Sequence, residues 1–215
     1  MTRVFATLAL LFAGLSWGKA ENFVWAAETN LKFFADAANW QTEGGSAGAA
    51  PGASDDILSP LQYGTVSISG PQEVRNFQVQ LDKKWLLIGK GAMVFGGNFV
   101  KGGQELIVRD GGNPNIHFDV TVEGSLTLKS GILRFGQETE NGELNGITVE
   151  GPCTVRDGTL LFRSFQAELA GGLTLEQGVV AIYQASGSGG ITVRGIEGIS
   201  PGFSPAVRAT AYAGF

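Results

Sequence analysis

One cysteine, Cys153, and one histidine, His117, are all the chain has of the side chains most used to grip metals and run nucleophilic chemistry. A lone cysteine cannot close an internal disulfide, so cohesion must come from packing and backbone hydrogen bonds. A lone imidazole beside one carboxylate makes neither a zinc site nor a catalytic triad. His117 lies in N-I-H-F-D, where Ile116, Phe118 and Val120 share one face and His117 and Asp119 the other. A solvated strand face is its plain reading, with acid–base or metal chemistry as the alternative. Lys/Arg-rich runs and a 3.6-residue apolar period are missing too, and charged residues make up only 16% of the chain. The balance is acidic, 15 Lys+Arg against 20 Asp+Glu. Such a chain is a poor partner for phosphate backbones or anionic lipid, so nucleic-acid binding is disfavoured.

The one long apolar run is at the start. Arg3 supplies a positive residue, Val4 to Leu15 is apolar, and Gly18-Lys19-Ala20 has small residues at both positions a signal peptidase reads. This pattern predicts a secretory signal peptide, residues 1–20, cleaved before Glu21; the run is too short to span a membrane, and a retained anchor is the alternative. Without Arg3 and Lys19 the mature chain has 13 basic and 20 acidic residues, net −7. Residues 21–215 suffice for one domain with a real core and carry no further membrane span.

What the chain has in abundance is glycine, 33 residues, set among Val, Ile, Leu, Phe and Thr, a composition of short strands and tight turns. It also repeats. V-E-G-S-L-T-L-K-S-G-I-L-R-F (122–135) returns as V-E-G-P-C-T-V-R-D-G-T-L-L-F (149–162) and as L-A-G-G-L-T-L-E-Q-G-V-V-A-I (169–182). Aligning Gly91 with Gly131 adds a copy with Leu86, Ile88, Met93 and Phe95 at the apolar positions. Aligning Gly111 gives a half copy with Leu106 and Val108, where Asn113 and Asn115 fall on apolar positions. The framing glycines 91, 111, 131, 158 and 178 are then 20, 20, 27 and 20 residues apart, and the long interval contains an inserted loop, Gln137 to Asn145.

A 20-residue unit fits one coil of a β-solenoid, in which each repeat buries its apolar face only against its neighbours. Parity then predicts four interior stacks: Leu126/Cys153/Leu173, Leu128/Val155/Leu175, Leu133/Leu160/Val180 and Phe135/Phe162/Ile182. Thr127, Thr154 and Thr174 form an outward column, with Leu87 and Ile107 in its place in the earlier copies. That column is too narrow and irregular for an ice-binding face. The fold class is therefore all-β: a short right-handed parallel β-helix of about five to six coils with an N-terminal cap. An antiparallel sandwich or meander, with K-S-G, R-D-G and E-Q-G as three-residue hairpin loops, is the alternative. The expected organisation is signal peptide 1–20, cap and loop 21–59, solenoid repeats 60–195 and C-terminal tail or cap 196–215.

These repeats resemble the β-strand repeats of autotransporter passenger domains and related secreted β-helical proteins of Gram-negative bacteria. Trp25…Asn39-Trp40…Pro51-Gly52-Ala53-Ser54-Asp55-Asp56 is similar to the W…NW…P-G-x-x-D start that often precedes them. The resemblance spans most of residues 23–195. It implies an extended surface or extracellular scaffold and carries over no catalytic residues. The chain as it stands leaves no room for a translocator barrel and shows no hydrophobic sorting tail; its A-Y-A-G-F ending has a terminal Phe but makes no barrel alone. It reads as a small free-standing member or a fragment of something longer.

Several constellations are candidates for function, each with a plainer reading. Arg109, Lys129 and Arg156 share one repeat position, continued by Glu176, and a basic column beside Asp110 and Asp157 suits an acidic polysaccharide; charged corners are also the default solvent-facing choice. Trp25 and Trp40, with Trp85 and Tyr63, are candidates for stacking on sugar rings, although covering the open first coil is the plainer role for Trp25 and Trp40. Asp110, Asn113 and Asn115 in D-G-G-N-P-N are candidate Ca²⁺ ligands in what otherwise reads as a plain turn. Glu138, Glu140 and Glu143 fit a solvated loop better than a glycosidase pair. Cys153 replaces Leu in an interior stack and reads as a small buried hydrophobe.

The sequence thus predicts a secreted, non-catalytic, adhesin-like structural protein, extracellular or at the cell surface, with the periplasm as a second location. No cofactor is called for, with Ca²⁺ the one candidate. Polysaccharide or other cell-surface components are the expected partners, alongside self-assembly. A polysaccharide-binding module, or an inactive relative of β-helical polysaccharide lyases, is the alternative.

Overall fold

A computed structural model of the chain describes residues 20–27, 32–59, 64–110, 118–136, 145–163, 165–184, 191–193 and 207–211. Among these, strands dominate, and the helical element is a single short turn, Ala37–Asn39. The strands belong to three faces of a parallel β-solenoid. One coil shows the plan: Leu126–Leu128 on the first face, Ile132–Phe135 on the second and Asn145–Val149 on the third. Each strand pairs in parallel with its counterpart in the coils before and after it. The third face has six strands, from Gln72–Val74 to Ile191–Val193, so there are six complete coils. A partial turn, Asn22–Trp25 and Lys32–Phe33, precedes them, and Val207–Ala211 adds a strand to the second face beyond Val179–Gln184.

The residue pattern explains the winding. Period-2 alternation buries every second side chain, and in-register parallel pairing sets like residues one above another. The predicted stacks form as written: Leu126, Cys153 and Leu173 are in register, as are Leu128, Val155 and Leu175. Leu133, Leu160 and Val180, and Phe135, Phe162 and Ile182, do the same on the second face. Aromatic rings stack along this axis, Phe77 on Phe99 with centroids 4.7 Å apart and Phe135 on Phe162 at 5.7 Å. Parallel pairing of all these strands excludes the hairpin alternative.

The two glycines of the repeat are corner residues. Gly97, Gly124, Gly151 and Gly171 stack between the third and first faces, where Gly124 N donates to Gly97 O (3.0 Å) and Gly151 N to Gly124 O (3.1 Å). Gly131, Gly158 and Gly178 stack between the first and second faces, and Gly131 and Gly158 have φ of 76° and 96°, which side-chain-bearing residues rarely adopt.

The earlier copies are set differently from the sequence alignment. Met93 and Phe95 pair with Val120 and Val122 on the third face, while Leu86 and Ile88 face outward beside Ile107 and Arg109. The fourth copy of the frame is Phe95 to Val108: Phe99 and Lys101 lie under Leu126 and Leu128, and Leu106 and Val108 under Leu133 and Phe135. The Thr127 column accordingly continues downward as Val100 and Gln78, in place of Leu87 and Ile107. Phe99 to Leu126 spans 27 residues, as does Leu126 to Cys153, against 20 from Cys153 to Leu173. Both long coils take their extra length between second and third faces, after Asp110 and after Phe135. The Asp110 turn is therefore an insertion equivalent to the Gln137–Asn145 one, and the apparent decay of the repeat there came from aligning an insertion with a strand.

Residues 21–59 supply both a cap and part of the rod. Trp40–Thr42 pairs antiparallel with Asn22–Trp25 and with Gly45–Ser46, closing the open edge of the first face. Asp36 caps the short helical turn by accepting from Ala38 N (3.0 Å), and Trp40 Nε1 donates to Phe34 O (2.7 Å). Trp25, Phe34 and Trp40 meet edge to face beneath the first coil, with Trp25 and Trp40 centroids 5.0 Å apart.

Candidate functional site

The basic column is shorter than its sequence suggested. Lys129, Arg156 and Glu176 occupy the same corner between first and second faces in successive coils and are exposed. Arg156 Nε lies 3.9 Å from Glu176 Oε1, an exposed pair that tempers the positive charge there. Arg109 is not in that column. It sits on the outer side of the second face opposite Ile88, because Leu106–Asp110 belongs to that face. The corner position equivalent to Lys129 in the preceding coil is held by Gly102.

The aromatic candidates are interior. Trp25 and Trp40 are 0% and 1% exposed, and Trp85 is buried with them, so none offers a ring face to a sugar. Burial follows from the alternation along each strand: Phe23 and Trp25 on Asn22–Trp25, and Trp85 and Leu87 on Trp85–Gly89, are the inward-pointing residues. Tyr63 lies outside the described residues. Of the candidate calcium ligands, Asp110 is 6% exposed at the end of its strand and already engaged in an interaction. Asn113 and Asn115 lie outside the described residues, as do His117, Glu138, Glu140 and Glu143. Among the described residues no group of three or more His, Cys, Asp or Glu is placed to hold a metal ion, and no helix is long and apolar enough to cross a membrane. Cys153 is fully interior, and burial pushes its thiol up to about 12. At that value the thiolate, the reactive form, is scarcely populated near neutrality.

Three charged groupings escaped the sequence reading. Lys101 stands in the interior column between Val79 and Leu128 with 0% exposure. Its Nζ donates to Gly103 O and Ser130 O, each at 3.0 Å, at the corner where two coils meet. Burial lowers its pKa to about 8, against a smaller opposing pull from Glu105. The signal was present: F-V-K-G-G is a copy of L-T-L-K-S with a cation at a Leu position. Outside the same corner, Glu105 bridges Arg134 of the next coil and Lys84 of the previous one, the latter at 3.3 Å. At the opposite corner Arg75 grips Asp56 through two bonds of 2.8 Å, and Asn76 Nδ2 adds a third at 2.8 Å. The Arg75 bond, partly opposed by burial, holds the Asp56 carboxyl below its usual range.

Each of these groups joins one coil to the next. Asn98 N donates to Asn76 Oδ1 (2.7 Å) and Ser125 Oγ to Asn98 Oδ1 (2.8 Å), extending the Asp56 corner upward as a polar ladder. No protein-family model, curated protein or solved structure matches this chain. The class of protein rests on the fold itself: a three-faced parallel β-solenoid, a β-helical scaffold.

Proposed function

We propose that this chain is an exported, non-catalytic structural protein of the cell surface or extracellular space, adhesin-like in the manner of the Gram-negative passenger repeats it resembles. One observation carries this reading: the repeated apolar and glycine positions have constructional uses. The apolar positions stack in the interior, the two glycines turn the corners, and the distinctive polar groups tie coil to coil. Repetition of this kind conserves a surface and a length, which is what a scaffold needs. The leader-like N-terminus and acidic, disulfide-free composition support export and a cohesion that needs no oxidising compartment.

A glycan-array screen of residues 21–215, run beside light scattering over a concentration series, tests the reading. Concentration-dependent assembly without selective glycan capture is expected. Capture of one polyanion class, lost on Lys129→Gln with Arg156→Gln, would replace the pure scaffold with a polysaccharide-binding module. The exposed Lys129–Arg156 corner is the observation favouring that second reading.

A further inference from the structure

We propose that Asp55 is the docking site for the amino terminus created at Glu21 when the leader is removed. The inference rests on the exported reading above and adds to it a specific acceptor. Glu21 N donates to Asp55 Oδ1 at 3.1 Å, a contact between residues 34 positions apart. The other carboxylate oxygen, Oδ2, accepts from Gly52 N at 2.9 Å, and Asp55 N returns a bond to Gly52 O at 2.9 Å. Both oxygens are thus aimed by the P-G-A-S-D turn. Glu21 is held independently, because its carbonyl accepts from Asp56 N (2.9 Å) and the first strand begins at the next residue, with Asn22 paired to Asp56.

That nitrogen is the one that cleavage would free. Ala20 and Glu21 are exposed, and the Ala20–Glu21 bond is the predicted leader cleavage point. A signal peptidase adds water across this bond. The water oxygen joins the Ala20 carbonyl carbon, the C–N bond breaks, and the Glu21 nitrogen leaves as an amine. Near neutral pH the amine takes up a proton and the new Ala20 carboxyl releases one. The Glu21 nitrogen changes from a neutral amide donor to an ammonium without having to move, and its hydrogen bond to Asp55 becomes a charge-assisted one. The cation packed against this corner, Arg75, gives its two side-chain bonds of 2.8 Å to Asp56 and acts on Asp55 only through its charge. Processing would thereby fasten the strand of the partial turn to the turn that begins the first complete coil.

The test is a cycle of four proteins, each released from a fusion by a protease that leaves no residue of its own. Two begin at Glu21 and two begin at Lys19, each with Asp55 or with Asp55→Asn. Asparagine retains an oxygen for Gly52 N, and the Lys19 pair reports whatever the substitution costs through the amide alone. Urea denaturation at pH 6 and low salt reads the difference. The Asp55→Asn loss should be about two- to fivefold larger in the folding constant for chains starting at Glu21, the range for a partly exposed ion pair, and should shrink in high salt. Equal losses in both backgrounds would overturn the docking. In parallel, the full chain exported from a Gram-negative host is read by intact mass. A mature form beginning at Glu21 is expected. A chain cleaved elsewhere would overturn the docking proposal alone, whereas a chain recovered with its leader attached would contradict the exported reading itself.

Discussion

The carbonyl oxygen of Gly103 occupies the place where a Cβ on Gly131 would stand, and Lys101 Nζ would lie 2.8 Å from that same Cβ. Gly131 also has φ of 76°, a conformation that strains any side-chain-bearing residue. Gly131→Ala should therefore destabilise the rod by about 2–4 kcal/mol, combining backbone strain with overpacking. Gly70→Ala is the control. Nothing lies within 4 Å of a Cβ there, and urea denaturation should show a change within about 0.5 kcal/mol.

Lys101 makes the stability of the solenoid depend on alkaline pH. In the unfolded chain its ammonium keeps its proton up to the ordinary value of 10.5, whereas in the folded chain burial releases it at about 8. Between these values unfolding takes up a proton, so stability rises with pH across the window. The gain should be on the order of 2–3 kcal/mol from pH 8 to 10.5. Subtracting the same titration of Lys101→Met isolates the effect. A difference that stays flat across this window would remove the buried ammonium from the account.

Asp56 acts at the other end of the pH scale. Its carboxyl is held below 3.8 chiefly by the Arg75 hydrogen bond, so its contribution is complete above that value and is lost as pH falls through the lower, folded-state pKa. Asp56→Asn should lower the urea midpoint at pH 6, and the gap from the native chain should close as the acid is increased toward pH 2. A gap that persists unchanged in acid would assign the loss to packing.

Trp40 and Trp85 are both buried, yet only Trp40 has an acceptor for its indole N–H, the Phe34 carbonyl at 2.7 Å; Trp85 Nε1 has no partner. Replacement by Phe removes similar volume at both sites. Trp40→Phe should cost about 1 kcal/mol more than Trp85→Phe, since it also strands a buried carbonyl. Paired thermal melts of the two variants measure that difference.

Much of the architecture was legible from three copies of one stretch. Leu126, Cys153 and Leu173 recur at one parity and one offset from a glycine, and in-register stacking is what such recurrence rewards. The earlier coils were harder because all three faces read apolar–polar–apolar. An alignment displaced by one face leaves parity within each strand plausible, which is how Met93 and Phe95 came to be matched with second-face residues. Corner length adds to the ambiguity: one residue separates Trp85–Gly89 from Gly91–Phe95, whereas seven separate Leu106–Asp110 from Phe118–Val122. The proposed sites were least legible. Trp25 and Trp40 read first as a cover for the open first coil, and their buried rings at that end agree with it; the alternative of a sugar-stacking platform does not survive their burial. Asp55 gave no signal beyond closing a turn, because its partner is 34 residues away.

The three faces are built from parallel strands in register, one coil above the next. Proton–proton NOEs in isotope-labelled residues 21–215 test this register most directly at the outward threonines. Contacts linking Thr127 to Thr154 and Thr154 to Thr174 are predicted, with none between Thr127 and Thr174, since successive strands stand about 4.8 Å apart. Cross-strand contacts joining Leu126–Leu128 antiparallel to Ile132–Phe135 across the K-S-G corner would contradict the solenoid.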